Sequence, residues 1–102
     1  MMEFNKLVRD RIPEIIESEG SKAITRILDT EEYARCLEKK LDEEVAEYHE
    51  SRKLEELADV LEVVYALAEL GGHSREELNE VYQKKHEARG GFKERVFLIR
   101  KE

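Results

Sequence analysis

Few residues interrupt the helical patterning of this chain, and that scarcity constrains its fold more than any other feature. Apolar side chains recur at intervals of three and four, which is the period of an amphipathic helix. The single proline and the five glycines fall at the ends of these patterned segments: Pro13, Gly20, Gly71-Gly72 and Gly90-Gly91. We therefore predict an all-α fold with a minor β element.

The pattern predicts one short and three long helices. The short N-terminal helix covers residues 13–19, two long helices cover 31–50 and 52–70, and the last helix begins at Ser74. A chain of 102 residues has room for one modest hydrophobic core. We predict a single domain over residues 1–102.

Local signals mark the helix starts and two candidate strands. Ser74 with Glu77 three residues later has the pattern of a capping box, and either Asp29 or Thr30 is suited to cap the helix over 31–50. Residues 23–28 and 96–99 are rich in β-branched or apolar side chains, so they are candidates for two short strands. Such a two-stranded element would be an accessory to the helices.

The helix over residues 52–70 is apolar on two faces. Each apolar face of such a helix must pack against another surface. The chain's own helices can cover one face, so we expect a second subunit to cover the other. The prediction is a helical hairpin or bundle completed as a homodimer or homotetramer. The first stripe consists of Leu54, Leu57, Leu61, Val64 and Ala68, and the second of Val60, Val63, Leu67 and Leu70.

Charge and cysteine content exclude several classes of protein. The formal net charge is −7, which disfavours nucleic acid polymers and anionic membranes as partners. No apolar run approaches the roughly 20 residues that span a bilayer, and the first residues lack the apolar region of a secretory signal. The single cysteine, Cys36, cannot form an internal disulfide or a cysteine zinc site. We expect a cytoplasmic protein.

Four acidic residues are predicted to converge across a helical hairpin. If two antiparallel helices are joined by a turn near Ser51, the position numbers of residues that face each other add to the same total. The position numbers of Glu44 and Asp59 have the same total as those of Glu47 and Glu56, so the two pairs are predicted to face each other across the hairpin. Lys40 lies one turn before Glu44. Glu55, Glu62 and Glu69 recur instead every seven residues on a polar face typical of solvated helix surface.

Four facing carboxylates stay ionised only beside positive charge. Oxygen ligands without cysteine or histidine favour Mg²⁺ or Mn²⁺ over zinc, although acids at these spacings also occur in ordinary surface salt bridges.

Basic residues that suit phosphate lie elsewhere in the sequence. Lys84, Lys85 and Arg89 precede a glycine pair, and they are either phosphate contacts or favourable charges at a helix C-terminus. Arg9 is suited to bind phosphate or to pair with Asp10.

The acidic segments carry a resemblance to a known family. Residues 40–47 (KLDEEVAE) followed by 55–61 (EELADVL) resemble the EExxE and ExxD signature of the all-alpha nucleotide pyrophosphohydrolases, or MazG-like superfamily. Residues 5–13 (NKLVRDRIP) and 85–92 (KHEARGGF) resemble its small phosphoribosyl-ATP pyrophosphohydrolase-like branch. The four segments occur in the order of that branch and span nearly the whole chain.

The resemblance implies a Mg²⁺-dependent enzyme that cleaves a nucleoside triphosphate between its α and β phosphates, clearing damaged, non-standard or excess nucleotides. Glu43 would orient a ligand or act as base, and Lys40 would contact phosphate or the acids. Only eight residues separate Glu47 from Glu56, a shorter spacer than in many relatives. The implied metal ligands are Glu44, Glu47, Glu56 and Asp59, and the candidate substrate contacts are Arg9, Lys84, Lys85 and Arg89.

Two other functions remain open from the sequence. One is a helical oligomer that binds metal or nucleotide without turnover, in a regulatory or interaction role. The other is a structural helical bundle without a site, in which removing Glu56 or Asp59 would be neutral or stabilising because it relieves like-charge repulsion. The preferred base and sugar, and the choice between a simple triphosphate and phosphoribosyl-ATP, also stay open.

Overall fold

The computed structural model describes residues 3–102, which form four α-helices. The all-α fold is confirmed, and every predicted helix is present within two residues of its expected start. The helices are α1 (Ile12–Ser18), α2 (Thr30–Ser51), α3 (Leu54–Leu70) and α4 (Arg75–Arg89).

The two predicted strands do not form. Residues 23–28 and 96–99 are irregular chain, and no strand occurs between residues 3 and 102. Their apolar side chains are largely exposed, with Ile27 at 93% and Phe97 at 87%. A strand is stable only where a neighbouring strand satisfies its backbone hydrogen bonds, and neither segment has such a neighbour among residues 3–102. The minor β element of the prediction is therefore wrong for the described residues.

The start of α2 is determined by side chains of the residues around it. The Asp29 side chain accepts a hydrogen bond from the Glu32 backbone N–H at 2.9 Å, and the Glu32 side chain accepts one from the Asp29 N–H. Arg26 also donates to both Glu32 oxygens, at 3.2 and 2.8 Å. The Arg26 hydrogen bond, followed by that from Asp29, lowers the pKa of Glu32 to about 2. An equivalent capping box between Ser74 and Glu77 begins α4.

A short turn forces α2 and α3 into an antiparallel hairpin. Only two residues separate the helices, and Arg52 adopts a left-handed backbone conformation with φ of 60°. Its backbone N–H donates to the Tyr48 carbonyl at 2.7 Å and its Nε donates to the His49 carbonyl at 2.9 Å, so the end of α2 is satisfied. The turn lies near Ser51, as the predicted pairing of facing residues requires.

The hairpin contains the most buried side chains of the described residues. Leu37 of α2 and Val63 of α3 are 3% and 7% exposed. Val63 belongs to the second apolar stripe of α3, which α2 covers, whereas Leu54, Leu57 and Leu61 of the first stripe face solvent. One of the two apolar faces of α3 is therefore covered within the chain, by α2.

The last helix packs against α3 and not against α2. The Tyr65 hydroxyl donates to Asn79 Oδ1 at 3.3 Å, and the Arg75 guanidinium lies 4.0 Å from the centroid of the Tyr65 ring. Leu78 is partly covered, but Val81 and Tyr82 are more than half exposed. The spacing of Leu78, Val81 and Tyr82 predicts that all three point inward. For Val81 and Tyr82 this prediction is wrong, since no second layer of helices among the described residues reaches that side of α4.

The molecule is elongated as a result. It measures 61 × 32 × 23 Å, with a radius of gyration of 17.9 Å. A compact chain of this length has a radius of gyration of about 13 Å. No helix among residues 3–102 combines the length and the apolar character needed to cross a membrane.

Candidate metal centre

Three acidic side chains from the two arms of the hairpin meet at one place. Glu44 of α2 and Glu56 and Asp59 of α3 each contribute a carboxylate oxygen, and these oxygens all lie within 4.8 Å of one another. The antiparallel register brings them together, because Asp59 lies opposite Glu44 and Glu56 lies one turn nearer to the bend. These three residues, called here the acid cluster, are three of the four predicted metal ligands.

Glu47, the fourth predicted ligand, lies at the margin of the acid cluster. It is exposed on α2, one turn after Glu44, and its carboxyl group is not among the three clustered oxygens. It is nevertheless close enough to Glu44 for a hydrogen bond between the two carboxyl groups. The structure therefore brings together three of the four predicted ligands and leaves Glu47 beside them.

Glu44 is the electrostatically strained member of the acid cluster. Its side chain is 14% exposed, and its Oε2 atom is buried without a hydrogen-bond partner. Burial, followed by the hydrogen bond and negative charge of Glu47 and the charge of Asp59, raises the pKa of Glu44 to about 7. Lys40, whose Nζ lies 3.9 Å from Glu44 Oε1, acts in the opposite direction and offsets only part of this effect. A divalent cation would supply further positive charge to the ionised carboxylate.

Lys40 lies between two acids of the predicted motif, Glu43 and Glu44. Its Nζ lies 3.0 Å from Glu43 Oε2 and 3.9 Å from Glu44 Oε1, and its side chain is only 16% exposed. Glu43 is held by this ion pair, outside the three clustered oxygens. Lys40 therefore contacts the acids, which is one of the two roles expected for it.

Arg9 reaches the acid cluster from the N-terminal segment. Its Nη1 donates to Asp59 Oδ1 and its Nη2 donates to Glu62 Oε1, both at 3.1 Å. The sequence predicts Asp10 or phosphate as its partner, but Arg9 pairs with Asp59 and Glu62 and not with Asp10. The seven-residue spacing of Glu62 predicts solvated surface, and no local pattern indicates its pairing with a residue 53 positions away.

Ser51 is a second residue that the motif did not include. Its hydroxyl donates to Glu56 Oε1 at 3.4 Å and accepts from the Lys53 backbone N–H at 3.3 Å. The side chain thus links the turn to Glu56, the member of the acid cluster nearest to the bend. Its position at the expected bend was the only signal available from the sequence.

The basic residues of α4 are not brought to the acid cluster within one chain. Lys84, Lys85 and Arg89 are exposed, and Lys84 pairs only loosely with Glu80, at 4.0 Å. The helix ends at Gly90, whose φ is 77° and whose N–H donates to the His86 carbonyl at 2.7 Å. This geometry accords with favourable charges at a helix end, one of the two interpretations given above.

Comparisons with known proteins do not assign the chain to a family. No protein-family model matches the chain, and no solved structure matches it. The chain is 55% identical over 42 residues to an uncharacterized protein from Mycolicibacterium smegmatis (strain ATCC 700084 / mc(2)155). The match covers 41% of this chain and 43% of that protein, so the chain spans less than half the length of the relative it matches.

Proposed function

We propose that this chain is a Mg²⁺-dependent nucleotide pyrophosphohydrolase that cleaves nucleoside triphosphates to monophosphates and pyrophosphate. The observation that carries the proposal is the acid cluster, in which three carboxylates from two helices converge within 4.8 Å. Convergence of like charges costs free energy unless a cation offsets it. The resemblance of residues 40–47 and 55–61 to the EExxE and ExxD signature supports the same reaction class.

The donor set fits a hard divalent cation. Glu44, Glu56 and Asp59 would hold the metal, with Glu47 as a fourth ligand, and all of these donors are carboxylate oxygens. Oxygen donors without a thiolate or imidazole favour Mg²⁺, with Mn²⁺ as the alternative. The buried, unpartnered Glu44 Oε2 is an oxygen that such an ion would satisfy.

The surrounding residues have separable roles in this proposal. Mg²⁺, when bound, supplies positive charge to the phosphate oxygens and lowers the pKa of an attacking water. Lys40 holds Glu43 and Glu44 in place, and Glu43 is the candidate base. Arg9 orients Asp59, and its guanidinium, 60% exposed, has N–H groups left to contact phosphate.

The basic residues of α4 take part in the proposed function only if they come close to the acid cluster. Lys84, Lys85 and Arg89 would contact the substrate phosphates only if a second copy or a displacement of α4 brought them to the acid cluster, since α4 contacts α3 alone.

A cytoplasmic location is part of the same proposal. Cys36 is a free thiol, which is compatible with a reducing compartment, where disulfides are rare.

The deciding experiment measures pyrophosphate release with Mg²⁺ across natural, deoxy and oxidised nucleoside triphosphates and phosphoribosyl-ATP. The wild type is compared with an E44Q/D59N variant, which keeps the shape of both side chains and removes both charges. E55Q/E69Q is the matched control, because it removes two charges from the polar face of α3. We expect release by the wild type and the control, and none by E44Q/D59N.

Other outcomes lead to the alternatives. Mg²⁺ binding measured by calorimetry, without release from any substrate, would replace the enzyme with a metal- or nucleotide-binding oligomer. Absence of both binding and release would leave a structural helical bundle.

A further inference from the structure

Arg9 connects two acids of α3, of which only one belongs to the acid cluster. Its Nη1 donates to Asp59 Oδ1 and its Nη2 donates to Glu62 Oε1, both at 3.1 Å. Asp59 and Glu62 are three residues apart, so their side chains are neighbours on the helix surface. Glu62 is not among the three clustered oxygens. The guanidinium is thus shared between a candidate metal ligand and an acid that the proposed function does not use.

This bridge uses only part of the guanidinium. An arginine side chain has five N–H groups in a fixed planar fork, and two of them donate to Asp59 and Glu62. The Arg9 side chain is 60% exposed, so its other N–H groups can be reached from solvent. A planar guanidinium matches two oxygens of a phosphate group in charge and in spacing. Arg9 can therefore bind a phosphate beside the acid cluster while it keeps its bond to Glu62.

The bond to Asp59 alone would hold Arg9 poorly once a cation is bound. A divalent cation and the guanidinium have charge of the same sign and compete for the same carboxylate. The N-terminal segment has few other attachments. Among residues 3–102, the two Arg9 bonds are the only hydrogen bonds that join residues 3–20 to the hairpin, and α1 packs against none of the other helices. Glu62 lies outside the acid cluster, so it can hold Arg9 without competition from the cation.

We propose that Glu62 is a positioning residue that keeps Arg9 beside the acid cluster, where Arg9 binds the terminal phosphates of the substrate. This inference rests on the proposed function, because a nucleoside triphosphate supplies those phosphates. They carry negative charge before the reaction as well as during it, so the contact strengthens the ground state and the transition state together. Glu62 should consequently affect substrate binding and leave the chemical step nearly unchanged.

The first test compares the steady-state kinetics of E62Q with those of E69Q. Glu69 is the matched control, because it is an exposed acid two turns later on the same polar face of α3. E62Q should raise the KM for the triphosphate about tenfold, the effect of losing one charge-assisted hydrogen bond. Its kcat should change by less than about twofold, and E69Q should change neither constant. Neither variant should alter the thermal midpoint, because exposed ion pairs contribute little to stability.

The second test asks whether Glu62 acts through Arg9. Calorimetry measures the binding of inorganic pyrophosphate at saturating Mg²⁺, a probe that does not depend on the base. R9Q and E62Q should each raise the dissociation constant about tenfold, and the R9Q/E62Q double variant should raise it no further. Additive effects would overturn the proposal, because Glu62 would then act on the anion without Arg9.

A third measurement needs neither metal nor substrate. The side-chain N–H signals of Arg9 in the NMR spectrum of the metal-free protein, assigned by their loss in R9Q, should shift in E62Q and not in E69Q. Unshifted signals in E62Q would overturn the proposal.

The same experiments separate this inference from the proposed function. Pyrophosphate release by the wild type, with KM and pyrophosphate affinity unchanged in E62Q, would overturn the role of Glu62 alone. Pyrophosphate binding that depends jointly on Arg9 and Glu62, without release from any triphosphate, would support that role and overturn the enzyme. A wild type that neither releases nor binds pyrophosphate would overturn both.

Discussion

The hairpin of α2 and α3 differs sharply from the C-terminal part of the chain, although both are amphipathic in sequence. The hairpin buries Leu37 and Val63, whereas α4 contains no buried residue, and Phe97 beyond it is 87% exposed. The helices α2 and α4 each begin with a complete capping box. The difference shows that local signals create a helix, but only a facing partner makes its apolar side contribute to stability.

The largest expected effect contrasts a buried and an exposed apolar side chain. Leu37→Ala should lower the free energy of unfolding by about 2–5 kcal/mol, because it leaves a cavity in the hairpin core. Tyr82→Ala in α4 should change it by only about 0.5 kcal/mol, as expected for an exposed site. Urea denaturation of both variants at one protein concentration measures the difference. Equal losses would mean that α4 is packed as tightly as the hairpin in solution.

The next effect concerns the acid cluster at one edge of the hairpin. Since the pKa of Glu44 is about 7 in the folded protein, Mg²⁺ binding must release its proton at lower pH. The apparent Mg²⁺ affinity should therefore rise about tenfold between pH 6 and pH 8, a factor set by one proton near pH 7. Calorimetric titration measures it, and E47Q should shift the dependence to lower pH by removing a neighbouring negative charge.

Without metal, a rise in pH lowers the contribution of Glu44 to the free energy of unfolding. A carboxyl whose folded pKa lies above its unfolded value of 4.5 contributes stability below that value and loses it as pH rises through about 7. The unfolding free energy of wild type minus that of E44Q should therefore fall between pH 5 and pH 8. A difference that rises with pH would show that Glu44 is already compensated by a cation within the protein.

The smallest predicted effect is a difference between substitutions in the capping boxes of α2 and α4. Asp29→Ala should cost about 1 kcal/mol in global unfolding, because α2 belongs to the packed hairpin. Ser74→Ala removes an equivalent hydrogen bond, but we expect it to act mainly on local opening of α4. Urea denaturation reports the first effect, and amide hydrogen exchange along α4 reports the second. Equal shifts in the urea midpoint would place α4 in the same cooperative unit as the hairpin.

The site could be predicted where it depends on local geometry. The short turn fixes an antiparallel register, so position numbers alone place Glu44 opposite Asp59. The ion pairs of Arg9 with Asp59 and Glu62 could not be predicted, because they join positions 50 and 53 residues apart and depend on the path of the N-terminal segment. The strands expected at 23–28 and 96–99 failed for a related reason, since strand formation depends on a distant partner.

The sequence by itself determined the four helices, the capping boxes of α2 and α4, and the convergence of three acids across the hairpin. These features follow from interactions within a few residues or across one short turn. Only the tertiary structure decided that Arg9 reaches Asp59, that α2 covers one apolar stripe of α3, and that α4 packs against α3 alone. Burial and long-range charge pairing depend on how whole elements are arranged in space, and apolar periodicity carries no information about which surface will cover it.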